Sequence, residues 1–150
     1  MMKRFLIGGV LLLMSMCGCG PSAPIVGEVD PTREKLQHIS SAYLKATLKT
    51  NRAPAKSDDL LPFLGEESTS VEKKRETFRS DHDGEEFVIV WGVDLRQAGT
   101  DELSRDVIFV YEKKGKGGKR YVLKPPTDIF FIPDDLFQKS SFPKGHQRSS

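Results

Sequence analysis

Cysteine is scarce in this sequence, because the only two cysteines, Cys17 and Cys19, lie near the start of the 150 residues. The rest of the chain therefore has no disulfide framework and no thiol for nucleophilic catalysis. Its fold must depend on a hydrophobic core, for which 37% of the residues are hydrophobic. The length and composition predict one small globular domain and exclude a multidomain enzyme and a polytopic membrane protein.

Long hydrophobic runs are also absent. The longest apolar and small-residue stretch, residues 5–16, has about twelve residues, whereas a transmembrane helix needs about twenty. The basic residues Lys3 and Arg4 precede this stretch, and small residues follow it. This order is typical of a secretory signal peptide. We therefore predict that residues 1–18 are a signal that is removed, and that residues 19–30 form a flexible linker.

The end of the signal carries the sequence Met16-Cys17-Gly18-Cys19. It resembles the bacterial lipobox, in which a small residue precedes a cysteine whose thiol receives diacylglycerol before cleavage in front of it. Cys19 is the predicted lipidation site, because Gly18 is small whereas the bulky Met16 precedes Cys17. An ordinary cleaved secretory signal is the alternative. A triacylated Cys19 would attach the protein stably to a membrane of the bacterial cell envelope, facing the periplasm or the cell surface.

The predicted mature chain has no excess of charge of either sign. The 23 basic residues include Lys3 and Arg4 of the signal, so 21 basic residues remain against 21 acidic ones. Nucleic-acid binding requires a basic surface that releases counterions from the phosphates. The composition therefore predicts no nucleic-acid partner, and the membrane is the expected partner through the lipid.

A long amphipathic helix is predicted at the start of the domain. The Asp-Pro pair at residues 30–31 is a good helix start, because Asp can cap exposed amides and Pro suits the first helical position. Leu36, Ile39 and Tyr43 then recur at spacings of three and four residues. The helix is predicted over residues 31–50.

The second half of the chain predicts strands, because β-branched and aromatic residues cluster between turn signals. The fold class is therefore α+β, with the N-terminal amphipathic helix packed on an antiparallel meander of about four strands. This domain covers residues 31–142, and residues 143–150 are predicted to be a disordered tail. The predicted strands are residues 87–93, 107–111, 120–123 and 129–132.

These strands are apolar on both faces, although one face of an antiparallel sheet is commonly solvated and polar. One interpretation is that part of the second face is an exposed patch for an envelope protein partner. The alternative is that residues 60–64 and 136–142 fold back and cover it. The residues of the possible partner face are Val88, Val90, Trp91, Ile108 and Val110.

Two short motifs fall short of ligand sites. Residues 81–86 are rich in acids, but their glycine comes fourth, whereas a calcium loop needs glycine sixth and glutamate twelfth. A turn before a strand is the better interpretation. Residues 115–119 contain glycines and lysines, but they lack the spacing and the Ser or Thr of a phosphate-binding loop, which indicates a hairpin tip.

Catalytic spacing is absent too. His38, His82 and His146 lie far apart, without a second His or Cys at a spacing suited to zinc, and no serine occupies a Gly-x-Ser-x-Gly elbow. We therefore predict no enzymatic activity, no cofactor and no metal site. The alternative, an envelope hydrolase or metal-dependent enzyme, requires a cleft in which acids converge on His82.

Several segments follow one another in a recognisable order after the lipobox and the helix. They are VIVWGV at residues 88–93, VYEK at 110–113, GKRYVL at 118–123 and DLF at 135–137. This order resembles that of small uncharacterised lipoproteins of planctomycete bacteria, and the resemblance implies no known activity. The layout of a long helix, an irregular middle and a small antiparallel sheet is more distantly similar to the pseudopilins of type II secretion.

The sequence thus favours a membrane-anchored envelope lipoprotein of binding or scaffolding type. The alternative function is that of a pseudopilin-like component of a secretion or surface assembly. Pseudopilins carry a Glu shortly after a prepilin cleavage site, whereas the first acid of this chain is Glu28. The similarity to them therefore bears on the fold alone.

Overall fold

The computed structural model describes residues 29–66, 69–97 and 105–148. Four strands form one antiparallel sheet in the order β1-β2-β3-β4, and the helix α1 packs on it, which confirms the α+β class. The predicted signal, Cys19 and the linker up to residue 28 lie outside the described residues. The elements are α1 (Pro31–Thr50), 3-10 turns at Ser57–Asp59 and Leu61–Phe63, α2 (Val71–Glu76), β1 (Val88–Ile89), β2 (Val110–Tyr111), β3 (Lys119–Lys124), β4 (Asp128–Pro133) and α3 (Asp134–Lys139).

Helix α1 has the predicted bounds because its end signals are local. The Asp30 carboxylate accepts hydrogen bonds from the amides of Thr32 at 2.9 Å and Arg33 at 3.4 Å. At the other end, Asn51 adopts a left-handed φ of 56° and ends the helix. The predicted apolar stripe is buried against the sheet.

Strands β1 and β2 are shorter than predicted. The Val90 amide still donates to the Phe109 carbonyl at 2.7 Å, after which the chain leaves the ladder, and the Ile108 amide before β2 donates to Ser141 at 2.9 Å. The amide of Gly92 donates to the carbonyl of Pro54 at 2.9 Å, and the amide of Val93 donates to the Tyr43 hydroxyl at 3.1 Å. These contacts draw the segment towards α1 and away from the neighbouring strand. Strands β3 and β4 have six residues each and form the longest hairpin of the sheet, with β4 at its edge.

Both faces of the sheet are covered by the chain itself. On the α1 side, Leu60 and Leu64 join the helix and the strands in one core. On the other side, Phe137 and Phe142 contact the ring of Tyr111, with centroid distances of 5.0 and 5.6 Å. The covering role predicted for residues 136–142 is therefore confirmed, whereas residues 60–64 belong to the α1 side.

The predicted partner face does not form one exposed surface. Ile108 and Val110 are fully buried, so their assignment to an exposed face is wrong. Val88, Val90 and Trp91 are half-buried, and the five residues are divided between the two sides of the sheet. The physical reason is that the segment after α3 folds back over Ile108.

The hairpin between β2 and β3 has a tight tip that demands glycine at one position. Gly115 has a φ of 72°, and a Cβ placed there would lie 2.2 Å from the carbonyl oxygen of Lys119. Its amide donates to Asp83 at 2.9 Å, as does the amide of Lys114. Partial burial alone would raise the pKa of Asp83, but these amides and the Lys114 ammonium hold it below its ordinary value. Asp83 thus fastens this tip to the turn before β1.

We predict that Gly115→Ala lowers the free energy of unfolding by about 3 kcal/mol, because it adds a backbone clash to the cost of a left-handed alanine. Gly117→Ala is the matched control, since Gly117 also has a positive φ of 61° but open space around its Cβ position. It should cost about 1 kcal/mol. Urea unfolding of both variants checks this, and equal losses would contradict the close approach at Gly115.

Candidate functional site

The largest group of interacting polar side chains in the described part of the chain lies between α1 and the sheet. We call it the His82 cluster and define it as Asp30, Ser80, His82, Glu112 and Tyr121. Asp30 caps α1, Ser80 and His82 lie in the turn after α2, Glu112 follows β2, and Tyr121 is in β3. The fold therefore brings four separate segments together at this point.

Glu112 is the centre of the cluster and has no solvent exposure. One carboxylate oxygen accepts a hydrogen bond from the Ser80 hydroxyl at 2.5 Å, and the other accepts from the Tyr121 amide at 2.6 Å. The Tyr121 amide thus bonds to the Glu112 side chain and not to the Glu112 carbonyl, which would be its backbone partner in the ladder between β2 and β3. The Glu112 carbonyl is left to accept from the Arg120 guanidinium at 3.3 Å. Such partners are required because a buried carboxylate without them is strongly destabilising.

His82 lies between two carboxylates, and its side chain is 12% exposed. Its Nε2 is 2.9 Å from the Asp30 carboxylate, and its Nδ1 is 3.2 Å from the Glu112 carboxylate. The second pair is close enough for electrostatic attraction, but its angle is not that of a hydrogen bond. The imidazole also stacks on Tyr121 and meets the edge of Phe131, at centroid distances of 5.4 and 5.7 Å.

Asp30 links the helix to the sheet. Besides capping α1, its carboxylate accepts a hydrogen bond from the Tyr121 hydroxyl at 3.1 Å. Burial acts to raise the pKa of Asp30, but the Tyr121 hydrogen bond, the charge of His82 and the helix amides together hold that pKa below its ordinary value. Burial and the neighbouring Asp30 raise the pKa of the Tyr121 hydroxyl. Both shifts favour the same hydrogen bond, in which a neutral Tyr121 hydroxyl donates to an ionised Asp30 carboxylate.

The hydrogen bonds of the cluster do not have the order of a catalytic triad. In a triad, the serine hydroxyl donates to the histidine, whereas the Ser80 hydroxyl donates to Glu112 and accepts from the His82 backbone amide at 3.0 Å. Ser80 is also buried, so a substrate has no direct access to its oxygen. Among residues 29–66, 69–97 and 105–148, no group of three or more His, Cys, Asp or Glu residues is arranged to hold a metal ion. The arrangement suits structural cross-linking, and the absence of catalysis stays a prediction.

The sequence indicated this site only in part. The acids at residues 81–86 form the predicted turn, in which Asp83 accepts from the Glu85 amide at 2.9 Å and Gly84 has a φ of 70°. His38 is exposed on α1, and His146 contacts Tyr111 at 3.1 Å, so neither reaches His82. Glu112 was missed, although an acid directly after the apolar run VIFVY was the available signal.

The exposed apolar surface lies at the edge of the sheet. We call Phe130, Phe131 and Leu136 the β4 rim, since they lie on β4 and on the helix that follows it, with exposures of 46%, 42% and 50%. Strand β4 pairs with β3 alone among the described strands. The Asp134 amide donates to the Gly118 carbonyl, so the amide of this residue faces the neighbouring strand. In an antiparallel pair, successive amides alternate between facing the neighbouring strand and facing away from it. The amides of Ile129 and Phe131 therefore face away from β3.

Comparisons with known proteins give no family for this chain. No family model, no curated protein and no solved structure matches it. Within the part of the chain that the structure describes, no helix has both the length and the apolar character needed to span a bilayer.

We predict that Glu112→Ala lowers the free energy of unfolding by about 3–5 kcal/mol, because it leaves the Tyr121 amide and His82 without their buried partner. Glu112→Gln keeps an acceptor and the side-chain volume, so its loss should be smaller. Urea unfolding measures both.

The control is Glu72→Ala on the exposed face of α2, which should change stability by less than about 0.5 kcal/mol. If Glu112→Ala were as mild as this control, the His82 cluster would not be a major source of stability.

Proposed function

We propose that this protein is a membrane-anchored lipoprotein of the bacterial cell envelope that acts by binding or scaffolding and not by catalysis. The observation that carries the proposal is the Gly18-Cys19 pair directly after a short apolar signal. Cys19 would carry the lipid, and the described domain would be held at its N-terminal end.

The attachment of Asp30 supports this proposal. A lipid on Cys19 would join the domain only through the residues that precede α1. The first residue of that junction with a described side-chain contact is Asp30, which bonds to His82 and Tyr121, 52 and 91 residues further along the chain. A tether at this end would therefore join the domain next to Asp30, whose hydrogen bonds to His82 and Tyr121 hold the start of α1 against the core.

The β4 rim is the surface that the proposal assigns to binding. The strand residues first considered for a partner are buried or half-buried, whereas the rim exposes three large apolar side chains and a strand edge with which no other described strand pairs. Neighbouring exposed apolar side chains of this kind are typical of surfaces that contact a protein or a membrane.

A pseudopilin-like component of a secretion or surface assembly is the second candidate. The observation that favours it is the packing of the 20-residue helix α1 on a four-stranded antiparallel sheet. The two candidates differ in the N-terminus of the mature protein, since a pseudopilin keeps its apolar N-terminal helix.

We predict that Cys19→Ser moves the protein from the membrane fraction to the soluble fraction or leaves it as an uncleaved precursor. Mass spectrometry of the native N-terminus should show a peptide that begins at an acylated Cys19. Cys17→Ser is the matched control and should leave acylation and membrane attachment unchanged.

An unmodified thiol at residue 19, or a Cys19→Ser variant that is still processed and membrane-bound, would contradict the lipoprotein proposal. A mature chain that retains the apolar run would favour the pseudopilin-like candidate.

A further inference from the structure

The exposed large apolar side chains are unevenly distributed over the described residues. Three of the six form the β4 rim, and a fourth, Val29, immediately precedes the first helix. Phe130 and Leu136 line the same groove, which has a volume of about 350 Å³, so these two side chains are neighbours. The remaining two, Leu48 and Val71, lie near the end of α1 and on α2.

Val29 and the β4 rim lie at the same end of the domain. Asp30, the next residue, contacts His82 and Tyr121 through its carboxylate. Both of those rings contact Phe131, at centroid distances of 5.7 and 4.6 Å. The chain that arrives from Cys19 therefore enters the domain beside the rim.

The typical reach of the tether is shorter than helix α1. Val29 is ten positions after Cys19, and a flexible chain of that length has a typical end-to-end distance of about 17 Å and a maximum of about 35 Å. Helix α1 alone, with 20 residues, is about 30 Å long. A lipid at Cys19 would thus keep the rim close to the bilayer, and such tethering raises the effective concentration enough for a weak contact to be populated.

The shape and charge of the β4 rim are compatible with contact with a lipid bilayer. Phe131 and Phe130 project to opposite faces of the sheet because they are consecutive in β4, so the apolar surface wraps around an edge. Acids and bases both border it. Lys124, Lys139 and Asp106 line the groove beside Phe130, and the Lys124 ammonium pairs with Asp106. Asp128 and Asp135 are close to the rim in the sequence. A bilayer can deform around such an edge, and this mixed charge gives no preference for anionic lipid.

From these observations, we propose that the β4 rim and Val29 dock on the surface of the membrane that holds the lipid anchor. This inference rests on the proposed anchoring at Cys19 and names the partner of the rim as a lipid surface. Docking would fix the orientation of the domain, with the rim towards the bilayer and the far end of α1 away from it.

The test uses residues 20–150 with an N-terminal His-tag, bound to vesicles of zwitterionic lipid that contain a nickel-chelating lipid. A single cysteine replaces Leu136 and carries an environment-sensitive fluorophore, and no other cysteine remains because Cys17 and Cys19 are excluded. Leu48→Cys is the matched control, since Leu48 is 61% exposed near the other end of α1. Lipids brominated in their acyl chains serve as quenchers.

We expect at least five-fold stronger quenching at residue 136 than at residue 48. Neither 0.5 M salt nor added anionic lipid should change this ratio. Phe130→Ser combined with Phe131→Ser should reduce the quenching at residue 136 several-fold, while the fluorescence of Trp91, which stacks near Tyr43 in the core, reports that the domain stays folded.

Equal quenching at the two positions would overturn the docking proposal, as would a fluorophore at residue 136 that responds to an envelope protein fraction and not to lipid. The chelating lipid supplies the tether, so a negative result here rejects docking alone. An unmodified Cys19 in cells would instead reject the anchor alone.

Discussion

The structure depends on the burial of one carboxylate, that of Glu112. Removing such a group from water costs several kcal/mol unless partners replace the lost hydration. Ser80, the Tyr121 amide and His82 supply those partners. These contacts fix the positions of the turn after α2 and of strand β3 relative to β2. Because His82 also contacts Asp30, the same constraint extends from the sheet to the first residue before α1.

This constraint links the fold to the proposed function. In the proposed account, the surface that binds lies beside the point where the anchoring chain joins the domain. The His82 cluster holds the start of α1 against Tyr121, and Tyr121 contacts Phe131 of the β4 rim. In the proposed account, the anchor determines how far the domain lies from the membrane, and the cluster determines which surface faces it.

The sequence predicted the elements whose signals are local. Helix α1 was predicted with its bounds because Asp30, Pro31 and Asn51 act within one turn of the helix. Strands β3 and β4 were predicted because their apolar residues lie between clear turns. Strand β1 was predicted too long, since the contact between Gly92 and Pro54 that draws the chain away joins residues 38 positions apart.

The site could not be predicted in the same way, and the covering of the sheet was predicted only in part. An acid after a strand ordinarily faces water, and the burial of Glu112 depends on Ser80, which is 32 residues away. The apolar pattern of the strands shows that both faces need cover, and residues 136–142 were correctly named as one covering segment, but residues 60–64 were assigned to the wrong face. Phe137 and Phe142 supply the cover of the second face through their contacts with Tyr111, whereas Leu60 and Leu64 pack on the α1 side.

Native-state hydrogen exchange tests most directly whether the His82 cluster fastens the anchor end of α1 to the sheet. The account predicts that the Thr32 amide, which donates to Asp30, opens with the same free energy as the Tyr121 amide, which donates to Glu112, because both are released only by global unfolding. A Thr32 amide that opens through local fraying, several kcal/mol below the Tyr121 amide, would contradict it.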